Sequence, residues 1–150
     1  MNRIYLFPIF FQGLVLFVDE FYFHLKRGLP RWERFGHPLD TFTFLACLLF
    51  TLFSQPTQAN IFVYVGMSAF SCVFVTKDEF VHAEKCTAGE QWMHSLLFLL
   101  HPVSLFCFYR LWIDRDFQDI LFLQSGVILS FMIYQIIFWH FFGRRDDVRS

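Results

Sequence analysis

The chain has 150 residues, of which 56% are hydrophobic, 22% aromatic and 17% charged, and its net charge is −1. A soluble domain is about one quarter charged, and one of this size leaves roughly a third of its unfolded surface in water, so it cannot bury this much apolar surface in one core. Intrinsic disorder is excluded as well, because it requires low hydrophobicity and high net charge. The composition therefore predicts a single integral membrane domain spanning residues 1–150.

Five apolar runs predict an all-α polytopic membrane bundle of about five transmembrane helices. Several runs are shorter than the roughly 20 residues that a helix needs to cross a bilayer, so these helices are expected to continue through polar sequence buried inside the bundle. The first run is interpreted as a span and not as a signal peptide, because no small-residue cleavage site follows it. The runs are Ile4–Val18, Leu39–Phe53, Ile61–Val75, Leu96–Ile113 and Ile120–Phe142.

Glycine and proline mark the junction between the first two helices. Gly28 and Pro30 predict that helix 1 ends at about Arg27, because glycine suits a helix C-cap and proline cannot continue the helix. Pro38 predicts the start of helix 2, since proline suits the first helical turn. The segment Arg31–Phe35 is then a separate basic and aromatic piece at the membrane interface.

The fourth helix carries a start signal of its own. Thr87 and Glu90 have the spacing of a capping box, in which the hydroxyl and the carboxylate each accept a hydrogen bond from a backbone N–H. Helix 4 is therefore predicted to begin just after Thr87.

The five crossings alternate in direction, so the ends of helices 1, 3 and 5 and the starts of helices 2 and 4 share one side of the membrane, called here the near side. Nine of the twelve basic residues lie there, and such an excess is typical of the cytoplasmic side. The near side is therefore predicted to be cytoplasmic and the N-terminus to be outside. The nine are Lys26, Arg27, Arg31, Arg34, Lys77, Lys85, Arg144, Arg145 and Arg149.

All six histidines and ten of the thirteen acidic residues lie on the near side or extend inward from it. Acid and imidazole recur three or four residues apart, a spacing that puts both side chains on one helix face. Four helix ends should therefore each present one acid and one histidine at a similar depth. The pairs are Glu20 with His24, His37 with Asp40, Glu79 or Asp78 with His82, and Glu90 with His94.

An internal repeat underlies these pairs, and it predicts that helices 1–2 and helices 3–4 are equivalent hairpins. Hairpins of the same orientation are related by an axis along the membrane normal, as in the parallel repeats of transporters. Such symmetry would bring two similar sets of side chains to one centre. The first copy is Asp19, Glu20, Phe21, His24 and His37, and the second is Asp78, Glu79, Phe80, His82 and His94.

Carboxylates and imidazoles drawn from four helices are the ligands of dinuclear iron and manganese sites in helical bundles. The four cysteines form no Cys-x-x-Cys pair, and nitrogen and oxygen ligands favour iron, manganese or zinc. The sequence predicts two metal ions, iron first. The predicted ligands are Glu20, His24, His37, Asp40, Glu79, His82, Glu90 and His94, and the predicted proton-transfer residues are Asp19, Asp78 and His101.

A metal centre at the cytoplasmic membrane boundary, above Phe-rich helices, favours an enzyme that oxidises, hydroxylates or desaturates a lipid or another long apolar molecule. The expected partners are that substrate, the membrane and an electron donor, with no nucleic acid. The site resembles those of membrane fatty-acid desaturases and hydroxylases, which also place histidines at cytoplasmic helix ends, although paired His-His boxes are missing here. Its ligand types resemble those of ferritin-like di-iron bundles, at a different spacing.

Other functions fit parts of the same pattern. A zinc-dependent membrane hydrolase needs only three ligands and an activated water. Facing histidines suit a haem, and a metal carrier would need polar residues continuing across the bilayer. A structural membrane module whose polar cluster holds no metal is the simplest alternative.

Overall fold

The structure, a computed structural model, describes residues 2–79, 83–84 and 86–143, without the side chains of Asn2 and Asp78. In these ranges it has no β-strand and contains five helices that are long and apolar enough to cross a membrane. The predicted all-α bundle is thus confirmed, and the helices fit a multi-pass membrane protein. They are α1 (Arg3–Arg27), α2 (Arg31–Phe53), α3 (Gln58–Lys77), α4 (Ala88–Asp114) and α5 (Gln118–Phe142).

The helices are longer than the apolar runs, as predicted. Helix α1 continues past Val18 through Asp19 and Glu20, whose side chains are buried. Helix α4 starts before its apolar run and buries Glu90 and His94. Polar side chains at membrane depth are costly unless they face one another or a cavity, so these positions turn inward.

The start of α2 differs from the prediction. The helix begins at Arg31, with Pro30 in extended conformation as its N-cap, and Pro38 lies inside it. The segment Arg31–Phe35 is therefore the first part of α2 and not a separate interfacial piece. Arg34 stabilises this start, because its backbone N–H donates to the Pro30 carbonyl and its side-chain Nε donates to the Leu29 carbonyl at 2.8 Å.

The far half of the bundle is an apolar core. Tyr64 of α3 donates its hydroxyl to the Leu105 carbonyl of α4 at 2.7 Å, and Trp112 of α4 donates its ring N–H to the Ser54 carbonyl at 2.9 Å. Interhelical contacts of this kind and close packing hold membrane helices together, since burial from water contributes little there. The buried side chains include Phe44, Cys47, Leu48, Leu105, Phe108, Leu111 and Leu121.

Gly28 sits at the predicted end of α1 in a conformation that only glycine adopts readily. Its φ is 86° and its ψ is 164°, and its N–H donates to the His24 carbonyl at 2.7 Å. This conformation carries the chain from α1 back into α2, so it sets how His24 of α1 and His37 of α2 approach each other.

Gly28→Ala is expected to lower the free energy of unfolding by about 1–3 kcal/mol, because an alanine in this region of backbone space is strained. The measurement is thermal unfolding of the purified protein in detergent. The matched control is Gly126→Ala in α5, where an added Cβ meets nothing within 4 Å and alanine should be neutral or slightly stabilising. Equal unfolding temperatures for the two variants would contradict the expectation.

Candidate metal centre

Two π-helical segments face each other at the near side of the bundle. One runs from Asp19 to His24 in α1, and the other runs from Phe138 to Phe142 at the end of α5. A π-turn inserts one extra residue into an α-helix and occurs frequently at functional sites. The first π-segment turns Asp19, Glu20 and His24 into the bundle together, and all three side chains are at most 3% exposed.

The first candidate ligand set, called the Asp19 group, consists of Asp19, His24 and His94. Asp19 Oδ2 lies 3.2 Å from His94 Nε2 and 3.4 Å from His24 Nε2, so one carboxylate oxygen lies between two imidazoles. One ligand atom from each of the three buried residues lies within 4.8 Å of the others. The sequence assigned Asp19 to proton transfer, whereas the structure places it among the potential ligands.

The second set, called the Glu20 group, consists of Glu20, His24 and His37, and it meets the same 4.8 Å criterion. Glu20 Oε2 lies 3.2 Å from His24 Nδ1, and the rings of His24 and His37 meet edge to face with centroids 4.6 Å apart. His24 therefore belongs to both groups, facing Glu20 with Nδ1 and Asp19 with Nε2.

Helix α5 fixes the Glu20 carboxylate from the opposite side. Trp139 donates its indole N–H to Glu20 Oε1, and the Gln135 amide donates to Glu20 Oε2 at 3.4 Å. Gln135 also accepts a hydrogen bond from Thr41 of α2 at 2.8 Å. These two hydrogen bonds hold the Glu20 carboxylate in one orientation, as is typical of carboxylates that bind a metal ion.

Arg27 ties the first, second and fourth helices together beside the two groups. Its guanidinium donates to Glu33 Oε2 at 2.6 Å and to Glu90 Oε1 at 3.0 Å. The predicted capping box of Thr87 and Glu90 is therefore only partly formed. Its backbone N–H bonds the Thr87 hydroxyl as expected, but its buried carboxylate turns to Arg27 and lies 3.9 Å from His24 Nε2.

Four buried acidic side chains lie at this end of the bundle. Asp19, Glu20, Glu33 and Glu90 are each at most 3% exposed, and Arg27 brings one positive charge to these four acids. Burying several carboxylates together is very unfavourable unless protons, cations or a metal ion compensate them. Two groups of these side chains with neighbouring histidines could hold a metal ion.

The structure does not bring the predicted ligands Asp40 and Glu79 into either group. Both carboxylate oxygens of Asp40 lie 2.7 Å from Lys77 Nζ of α3, so Asp40 is in an ion pair between helices. Glu79 is exposed. His82 and the side chain of Asp78 lie outside the described part of the chain, so their predicted roles, and with them the second copy of the repeat, stay predictions.

His101 lies deeper in the membrane, seven residues beyond His94 and so about 10 Å along α4. It is 5% exposed. Its Nε2 lies 2.9 Å from the Ser71 hydroxyl, and its Nδ1 lies 3.5 Å from the Gln12 amide. The residue is therefore hydrogen-bonded on both sides, and its predicted part in proton transfer stays a prediction.

Sequence reasoning missed Arg27, Glu33, Gln135 and Trp139 as parts of the site. Glu33 had a readable signal, because it precedes His37 by four residues just as Glu90 precedes His94, and the structure places His37 Nε2 at 3.9 Å from its carboxylate. Gln135 was a polar residue in a long apolar run. Trp139 offered no signal, because tryptophan near a helix end is ordinary at a membrane interface.

The cysteines remain outside the candidate ligand groups. Burial, together with the neighbouring Glu90 carboxylate, raises the pKa of the Cys86 thiol. The raised pKa disfavours the thiolate form of Cys86.

Buried and half-buried imidazoles and carboxylates from three helices thus form two overlapping groups that could hold a metal ion. No protein-family model, curated protein or solved structure matches this chain.

Proposed function

We propose that this chain is a membrane-embedded dinuclear metalloenzyme, with iron as its metal, that oxidises, hydroxylates or desaturates a lipid or another long apolar molecule at the cytoplasmic face. The observation that carries the proposal is the position of the two groups. Asp19, His37 and His94, taken from both groups, lie at one end of a cavity of about 220 Å³ whose other walls are mostly apolar.

The ligand chemistry supports iron. Imidazole nitrogens and carboxylate oxygens suit iron, manganese and zinc better than soft metals. Non-haem iron, when bound, supplies the activation of dioxygen, with electrons from a separate donor, that oxidation of an unreactive C–H bond requires. In this scheme His24, His37, His94, Asp19 and Glu20 bind the metal.

The neighbouring residues hold the ligands in place. Trp139 and Gln135 orient the Glu20 carboxylate, and Arg27 balances part of the charge of Glu33 and Glu90. The apolar walls of the cavity exclude water from the reacting part of the substrate. The cytoplasmic location of the site is part of this proposal, and the distribution of basic residues supports it.

The second candidate is a zinc-dependent membrane hydrolase. One observation favours it, because the Asp19 group alone offers three protein ligands, the number that catalytic zinc sites use while leaving a position for water. Metal identity separates the two candidates.

Elemental analysis and an absorption spectrum of the detergent-purified protein test the proposal. We expect about two iron ions per chain with ultraviolet-visible absorption from the bound metal. Asp19→Asn is expected to lose about half of the metal, because Asp19 belongs to one of the two groups and an amide is a much weaker ligand than a carboxylate. The matched control is Asp119→Asn at the exposed start of α5, which should keep the parent content.

Three outcomes are decisive. Iron in the parent and loss only in Asp19→Asn support the proposal, whereas redox-silent zinc in the same pattern supports the hydrolase. A parent protein that retains no metal after anaerobic incubation with ferrous iron, or after incubation with zinc, would contradict both.

A further inference from the structure

The cavity beside the metal-ligand groups is long and asymmetric. Along α1 its lining runs from Asp19 to Ile9, ten residues or about 15 Å of helix. Its outer end has polar side chains, including Thr41 and Gln135, and its deeper part is lined mostly by apolar ones, including Phe44 and Ile128, with Gln12, His101 and Gln124 as polar exceptions. A ligand that matches this lining has one polar end and one apolar tail.

The cavity volume sets the size of that tail. About 220 Å³ exceeds the 150 Å³ of a buried apolar cavity that holds one benzene molecule. It is smaller than the roughly 300–1,000 Å³ of ordinary small-molecule pockets. A cavity of this size is better matched by one hydrocarbon chain than by the two chains of a phospholipid.

The cavity also reaches the lipid-facing surface of the bundle between α1 and α5. These helices are joined at the near side, where the rings of Phe21 and Tyr134 lie 5.1 Å apart. Further into the membrane, Phe17 of α1 and Val127 of α5 line the cavity and are still 57% and 58% exposed. A residue that both lines a cavity and faces outward marks its opening.

Gly13 lies on the lining within this opening. It is exposed, and a Cβ built there would meet nothing within 4 Å. The space beside Gly13 is therefore open, and a larger side chain there would occupy the passage without displacing the helix backbone.

We propose that a single-chain amphiphile enters this cavity sideways from the lipid bilayer, between α1 and α5, and places its polar end at the Asp19 and Glu20 groups. The inference rests on the proposed function and names its substrate class.

Photocrosslinking tests this inference on the full chain in lipid nanodiscs. The probe is a long-chain fatty alcohol with a diazirine in the middle of its chain, and mass spectrometry locates the labelled residues. We expect labels on cavity residues such as Phe17, Phe98 and Phe131. In Gly13→Trp this labelling should fall about tenfold, while Gly66→Trp should label like the parent, because Gly66 is exposed on α3 with equally open space.

Metal content is measured in the same samples, so the two proposals can fail separately. Labels spread over the lipid-facing surface and unchanged in Gly13→Trp would overturn the sideways route even if the metal is present. Val127→Trp, on the other edge of the opening, provides a second block should Gly13→Trp fail to fold. Cavity labelling that neither tryptophan reduces would also overturn the route.

Discussion

His24→Ala is expected to abolish metal binding completely, whereas His37→Ala and His94→Ala should each retain about half of the parent metal. The reason is that His24 lies in both ligand groups, with Nδ1 at 3.2 Å from Glu20 and Nε2 at 3.4 Å from Asp19. Each of the other two histidines lies in one group. The expected contents are about two ions in the parent, one in each single-group variant and none in His24→Ala.

This graded pattern distinguishes a dinuclear centre from simpler arrangements. A mononuclear site built on the Asp19 group would lose its ion in His94→Ala and keep it in His37→Ala. A hydrogen-bonded cluster without metal would show no metal in any variant and only a change in stability. Helical content from circular dichroism and the elution volume in size-exclusion chromatography report whether each variant is folded, and elemental analysis is interpreted only for folded samples.

If both nitrogens of His24 bind metal, the ring must lose its proton. Metal binding then releases protons, and the affinity falls as the pH is lowered. Binding to His94 and His37 requires only the neutral ring, so a variant with a single group should depend less steeply on pH. Metal titrations of the parent and of His37→Ala at several pH values measure this difference.

The sequence alone predicted the architecture, because the length and hydropathy of a segment are enough to identify a membrane helix. Apolar runs indicated the five helices, and Gly28 indicated the end of the first one. The side of the bundle on which histidines and acids meet followed from the alternation of the crossings alone. His24, His37 and His94 meet on that side in the structure.

Partner choice within the site could not be predicted, because it depends on the rotation of each helix about its axis. Asp40 and Glu33 both lie within four residues of His37, one on each side, and Asp40 was predicted to be its partner. In the structure Asp40 faces Lys77 across α2 and α3, and Glu33 faces Arg27. The π-turn at Asp19–His24 shifts the facing direction of three side chains, and no local sequence signal predicted it.

Arg27→Ala is expected to destabilise the protein by about 3–5 kcal/mol, because removal of one partner from a buried ion network leaves the others uncompensated. The side chains of Glu33 and Glu90, which Arg27 bonds, are 0% and 2% exposed. For a chain of this length the change corresponds to a fall of about 10 °C in the unfolding temperature. Thermal unfolding in detergent, followed by circular dichroism, measures it.

Arg110→Ala is the matched control. Arg110 pairs with Asp114 on the surface of α4 at 3.6 Å, with side-chain exposures of 39% and 27%, and such a pair contributes at most about 1 kcal/mol. Arg27→Lys keeps the positive charge but lacks the planar guanidinium that bonds two carboxylates. Its fall in unfolding temperature should therefore be intermediate. Equal unfolding temperatures for Arg27→Ala and Arg110→Ala would contradict the expected role of Arg27.

A double variant separates charge from packing in the same experiment. Arg27→Ala leaves the buried carboxylates of Glu33 and Glu90 without their shared positive partner. Glu33→Gln removes one of these two charges, so Arg27→Ala/Glu33→Gln should be more stable than Arg27→Ala alone. If lost packing of the arginine chain were the main effect, the second substitution would bring no recovery. A bound metal cation would offset the same negative charge. Metal should therefore raise the unfolding temperature of Arg27→Ala more than that of the double variant.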